Sequence, residues 1–163
     1  QEQASIEDTA ADACCSIDLA ARSVNMDQIR NLCRDLMSYK RVAAFGLLKA
    51  EAAAVSLQSD LMMLGKLIYT NVSCFQQMQY LQEAGPEDLI LIFSYTGSYF
   101  EGMGRPAANG ARIWMISGQK KKYPACVSRT LHFESLHNQA GHPYSLMIVT
   151  GLIAQEYARM IRK

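Results

Sequence analysis

The sequence predicts an α/β fold: a three-layer α-β-α sandwich around a five-stranded parallel sheet, with a helical hairpin over residues 1–40 ahead of it. Three observations carry this. Short apolar runs alternate with helix-period stretches from residue 42 onward, the order that builds a parallel sheet through right-handed crossovers. The run Leu89-Ile90-Leu91-Ile92-Phe93 is apolar at every position, as a strand covered on both faces requires. Half of the 163 residues are hydrophobic and 19% are charged, enough for one core in one domain spanning 1–163.

The elements follow in order. Ile6 to Arg22 is alanine-rich, with few large apolar residues, and reads as a helix that packs weakly or on a partner chain. A second helix starts at Asn25, with Gln28 three residues on as a capping-box signal, and sets Ile29, Leu32, Cys33, Leu36 and Met37 on one face. Val42 to Gly46 is the first strand. Lys49 to Leu64 is a helix burying Ala54, Leu57, Leu61 and Leu64, closed by Gly65. Leu67 to Val72 is the second strand. Ser73 caps a short helix carrying Phe75, Met78 and Leu81, which Gly85-Pro86 ends. Leu89 to Phe93 is the third strand, a weak helix covers 100–109, and Ile113 to Ile116 is the fourth strand. Val127 to Phe133 is the fifth strand. The last helix, Tyr144 to Arg162, turns Leu146, Val149, Ile153, Tyr157 and Met160 inward.

Composition excludes several function classes. Sixteen Lys and Arg against fifteen Asp and Glu leave a net charge of +1, without the basic excess of a nucleic-acid binder. No apolar run approaches the ~20 residues that span a bilayer. Gln1 to Asp12 is polar, unlike a signal peptide, and the missing initiator Met suggests a processed protein or an excised fragment. The five cysteines (Cys14, Cys15, Cys33, Cys74, Cys126) lack CxxC spacing and are odd in number. They read as reduced, mostly buried thiols of a cytoplasmic protein, with no metal site. No phosphate-binding loop of the form Gly-x-x-x-x-Gly-Lys-Ser/Thr occurs, and nothing calls for a cofactor.

The chemistry concentrates where the third strand ends, at Ser94-Tyr95-Thr96-Gly97-Ser98-Tyr99. In open parallel sheets ligands bind at the carboxyl ends of strands, near the point where strand order reverses. A hydroxyl-rich turn with one glycine offers an anionic phosphate both backbone N–H groups and side-chain donors. The same residues also read as an ordinary strand-to-helix turn with no ligand. The one basic run, Lys120-Lys121-Lys122, reads either as a solvated loop or as a source of phosphate attraction.

Phe93-Ser94-Tyr95-Thr96-Gly97-Ser98 resembles the phosphosugar loop of sugar isomerase (SIS) domains, of general form Ser-x-Ser/Thr-Gly-x-Thr. Arg41 to Gly46, Pro86-Glu87-Asp88, Ala111 to Ser117, and Tyr144-Ser145-Leu146 leading to Tyr157-Ala158-Arg159 extend the likeness over essentially the whole chain. The pattern is most similar to the effector domain of RpiR-type transcriptional regulators. The resemblance implies a five-stranded parallel sheet in flavodoxin-like order, a homodimer, and a phosphorylated sugar as effector. It also implies that DNA is reached only through a helix-turn-helix domain absent from this chain. The ligand-binding residues it implies are Ser94, Thr96, Gly97 and Ser98, with Tyr99 and Lys49 beside them.

The chain departs from the family at the first loop, where Gly-x-Gly-x-Ser is replaced by Gly46-Leu47-Leu48-Lys49-Ala50, and at Tyr99, which stands where the sugar loop ends in Thr. Leucine obstructs close backbone approach and alanine removes a donor. An isomerase or lyase of this family needs a Glu base and often a His. The candidates are Glu134, His137 and His142, between the fifth strand and the last helix. The reading is therefore a non-enzymatic phosphosugar-sensing and dimerisation domain of a regulator of carbohydrate metabolism. The alternatives are a phosphosugar isomerase or lyase, and a ligand-free dimerisation module.

Overall fold

The computed structural model describes residues 5–106, 109–136 and 138–162. Four parallel strands run side by side in the order β1 (Arg41–Gly46), β2 (Asp88–Phe93), β3 (Arg112–Ser117) and β4 (Arg129–His132). Every residue of β2 is buried, as its uninterrupted apolar run requires, and it lies inside the sheet between β1 and β3.

Alternate residues of the strands feed two cores. Val42, Ala44, Leu89, Leu91, Trp114 and Ile116 meet the side formed by α2 (Met26–Ser38), α3 (Glu51–Met63) and α6 (Tyr144–Ile161). Ala43, Phe45, Ile90, Ile92, Ile113 and Met115 meet α4 (Cys74–Glu83) and α5 (Tyr99–Met103). The period of two along each strand thus serves both helix layers. Trp114, fully buried, also donates from Nε1 to Asp35 Oδ2 at 2.8 Å, and the same oxygen accepts from Arg112 Nε at 2.5 Å. One carboxylate of α2 is thereby fixed to β3.

The helix signals hold in most places. Asn25 caps α2 by accepting from the amides of Asp27 and Gln28, although Gln28 Oε1 has no partner among the described residues, so the capping box is half made. Ser73 caps α4. The first helix, α1 (Ile6–Ser23), lies against α6 and buries only Ser16 and Ala20, the weak packing expected of an alanine-rich helix.

Five expectations need correction. Among the described residues the sheet has four strands, not five: the stretch from Leu67 to Val72 is reduced to a single parallel bridge between Tyr69 and Ala43. Its residues turn inward instead of following β1, because Thr70 Oγ1 donates to Glu51 and the Asn71 carbonyl accepts from Gln77. Leu67 and Val72 are left exposed. On α4 the buried face is offset from the predicted one: Phe75 is exposed, while Gln77 is fully buried beside Leu81. Met37 is likewise exposed at the end of α2. The cysteines are all free, but only Cys33 is buried; Cys14, Cys15 and Cys74 are exposed on helices whose core-facing positions other residues occupy. The weak helix predicted at 100–109 ends at Met103, with 107 and 108 outside the described residues.

The Tyr69 bridge decides where a ligand can sit. From β1 the chain passes to the outer edge at Tyr69 and then returns to β2 on the other side of β1. The order in which the chain fills the parallel sheet therefore reverses at β1, and the loops leaving β1 and β2 diverge over a crevice.

Candidate functional site

The loop leaving β1 is shaped by close packing. A Cβ built on Gly46 would lie 2.7 Å from the Ala50 carbonyl group, so only glycine lets the 3-10 turn Leu48–Ala50 fold back on the strand end. Leu48 adopts φ 55°, the left-handed region, where the resembled family carries its second glycine. Its side chain is 94% exposed.

The loop leaving β2 is an elbow. Ser94 continues the sheet by donating its amide to the Ile116 carbonyl, and its Oγ accepts from the Tyr99 amide at 3.2 Å, leaving the hydroxyl proton free to donate outward. Thr96 Oγ1 and Ser98 Oγ are 2.7 Å apart, so one hydroxyl serves the other and one proton remains to donate. Among the described residues, the amides of Thr96 and Ser98 have no acceptor. Gly97 has φ 71°, and a Cβ there would lie 2.6 Å from the Tyr123 hydroxyl. Its role is to turn the elbow under Tyr123.

Between the two loops lies a pocket of about 470 Å³. Ser94, Thr96, Ser98, Tyr99 and Lys49 all line it, five of the six predicted ligand residues. Gly97 does not; it faces a neighbouring hollow of about 460 Å³ with Arg105, Lys121 and Lys122. Lys121 there pairs with Glu101 at 2.9 Å, so the middle lysine of the basic run is already engaged. A larger hollow of about 740 Å³ opens at the opposite end of the sheet, beside Arg41 and Glu87. There Arg41 is already engaged by Asp88 through two nitrogens, and no strand's carboxyl end contributes.

Tyr99 closes the pocket floor with its ring, but its hydroxyl points into the protein and donates to Gln77 Oε1 at 2.8 Å. Burial pushes that phenol well above its ordinary range. Gln77 also donates to the carbonyls of Gly46 (2.8 Å) and Asn71 (2.7 Å), tying the first loop and the elbow to α4. Glu51, at the start of α3, accepts from the Gly46 amide at 3.0 Å and from Thr70 at 2.6 Å. Burial raises the Glu51 pKa and outweighs these two donors, which favour the charged form. Sequence reasoning missed both Gln77 and Glu51. The available signals were a polar residue four before Leu81 on the inward face, and the lone acid ahead of an Ala-Ala-Ala run.

The catalytic candidates separate. His142 lines the pocket, stacked on Tyr95 with centroids 4.7 Å apart, and its Nδ1 is buried with no partner among the described residues. Burial, then the neighbouring Lys49, lowers its pKa, so it is neutral at pH 7. Glu134 is not among the pocket-lining residues; it faces His132, 3.3 Å from Nε2. His137 lies outside the described residues. Among the described residues, no three His, Cys, Asp or Glu side chains gather as a metal site would need, and no helix is long and apolar enough to cross a membrane.

No protein-family model and no curated protein matches the chain. Solved structures do. The Vibrio vulnificus NanR protein complexed with ManNAc-6P superposes with a TM-score of 0.82 at 10% identity, over 94% of this chain and 62% of that one. The sugar isomerase domain of an RpiR transcription factor from Sphaerobacter thermophilus gives 0.73 at 18% identity, over 93% and 88%. A protein of E. coli CFT073, solved with a bound ligand, gives 0.80 at 12%, over 96% and 89%. This chain thus spans less than two thirds of the NanR chain, and phosphosugar isomerases stand among the other similar structures. With its parallel sheet, its helix layers and its crevice between β1 and β2, the chain has the fold of the sugar isomerase (SIS) domain.

Proposed function

We propose that this chain is the phosphosugar-sensing and dimerisation domain of an RpiR-type transcriptional regulator, acting in the cytoplasm as a homodimer and not as an enzyme. The observation that carries the reading is the elbow at the end of β2: two unpaired amides and the hydroxyls of Ser94, Thr96 and Ser98, opening on one pocket. That set offers several donors to a phosphate without a paired cation, and charge-assisted hydrogen bonds are worth ~1.5–3 kcal/mol each. Among the described residues, Lys49 adds the single positive charge in the lining. The likeness to regulator domains supports the sensing role, and in such a role ligand binding biases two arrangements of the dimer and of the DNA-binding domains attached to it.

One observation favours a second reading, a phosphosugar isomerase. His142 is neutral, lines the pocket and has an unpartnered ring nitrogen, the state a proton-transfer group needs. Against it, among the described residues no carboxylate shares the pocket apart from Glu101, which is held by Lys121.

Thermal unfolding against a panel of hexose and pentose phosphates tests the reading. A binder at ~100 times its dissociation constant adds ~2.7 kcal/mol. The shift is expected to vanish in Ser94→Ala/Thr96→Ala. Absence of any shift leaves a ligand-free dimerisation module, and turnover of a binding sugar phosphate establishes the isomerase.

A further inference from the structure

We propose that the hollow beyond the elbow, lined by Arg105 and Lys122, is a second phosphate-binding site, apart from the pocket that Ser94, Thr96 and Ser98 line. It lies between the segment that follows α5 and the loop that follows β3, and encloses about 460 Å³. Among the described residues, three cations (Arg105, Lys121 and Lys122) line it against one carboxylate, Glu101. The chain as a whole carries a net charge of only +1, so this is a local concentration of positive charge. Concave sites lined by one sign of charge focus the field and gather counter-ions.

The hollow stands on packed backbone. The Tyr123 hydroxyl donates to the Gln119 carbonyl at 2.8 Å, which closes the loop after β3 on itself. That loop seats on the elbow at Gly97, where an added Cβ would lie 2.6 Å from the Tyr123 hydroxyl and 3.0 Å from Lys121 Cε. Lys121 is already engaged: its Nζ pairs with Glu101 and lies 5.9 Å from the centroid of the Tyr123 ring. Arg105 and Lys122 are exposed, and among the described residues neither has an ion-pair or hydrogen-bond partner. Two such cations beside a third repel one another, and neither serves the core. A phosphate dianion between them offsets that repulsion, and the fork of Arg105 matches two phosphate oxygens at once. Glu101 lines both hollows, so the two sites adjoin. The phosphate comes either as the free inorganic ion or as a second phosphate group on the molecule held by the elbow; only the latter source rests on reading the elbow as a phosphate site.

Titration of the isotopically labelled full chain with inorganic phosphate at constant ionic strength, read by N–H chemical shifts, tests this. The Arg105 Nε–H and Lys122 amide signals are expected to move saturably, and chloride at the same ionic strength should leave them in place. Arg105→Gln/Lys122→Gln should weaken binding at this site about tenfold or more, while any response of Thr96 and Ser98 persists. Ser94→Ala/Thr96→Ala should spare the response of Arg105 and Lys122. Calorimetry then separates the two sources. If fructose 1,6-bisphosphate binds about tenfold or more tightly than fructose 6-phosphate, and Arg105→Gln/Lys122→Gln removes that gain, the second phosphate belongs to the elbow's ligand. Saturable inorganic phosphate without that gain makes it the free ion. No saturable shift at Arg105 and Lys122 overturns the second site, while Thr96 and Ser98 report separately on the elbow. Shifts that chloride reproduces reduce the hollow to diffuse screening, and overturn it as well.

Discussion

At the residue scale, two neighbours in one loop show how differently a backbone constraint can be met. Gly46 is glycine because a Cβ would run into the Ala50 carbonyl, a requirement visible once the turn is built. Leu48 occupies a left-handed conformation that glycine takes without strain, and keeps an exposed side chain there. Leu48→Gly removes the strain and uncovers nothing, so it is expected to raise stability by up to about 1 kcal/mol. Urea unfolding measures this; a loss of stability would show that the leucine packs against the protein after all. The sequence disclosed that Leu48 and Ala50 depart from the resembled loop, but not that Leu48 keeps the glycine backbone. Dihedral angles are a property of the closed turn, which no residue type announces by itself.

At the element scale, the legible parts were those fixed by local periodicity and capping. The β2 run, the inward face of α6 and the Asn25 and Ser73 caps follow from spacing alone. The loss of the second predicted strand, Leu67 to Val72, was not legible because its fate is decided by a buried polar cluster assembled from distant segments. Glu51 and Gln77 draw in Thr70 and Asn71, leaving one bridge at Tyr69. Glu51 makes that cluster sensitive to pH. Burial raises its pKa, so the folded chain binds the proton more tightly than the unfolded chain. Its contribution is therefore fully present below the unfolded value, about 4.3, and is lost as pH rises through the folded value. Glu51→Gln cannot titrate. The stability of the natural chain relative to Glu51→Gln is expected to fall in denaturant titrations as pH rises above the unfolded value of about 4.3. A difference that grows with pH contradicts the assignment.

At the scale of the whole molecule, the fold places function before any single residue does. The reversal of chain order between β1 and β2 opens the crevice, and five of the six residues expected to bind ligand line it. Their grouping was legible because the elbow is contiguous in sequence and leaves the most apolar strand. The contribution of His142 and its stacking on Tyr95 was less so, because the two meet only when the chain before α6 folds back over the elbow. The central claim is that the exposed amides of this elbow grip a phosphate. Amide chemical shifts of the isotopically labelled chain, followed as a sugar phosphate is added, address it most directly. The Thr96 and Ser98 N–H signals should move downfield and by the largest amounts, as neutral amides do on bonding to an anion. Saturable shifts confined to other loops, with Thr96 and Ser98 unmoved, would contradict it.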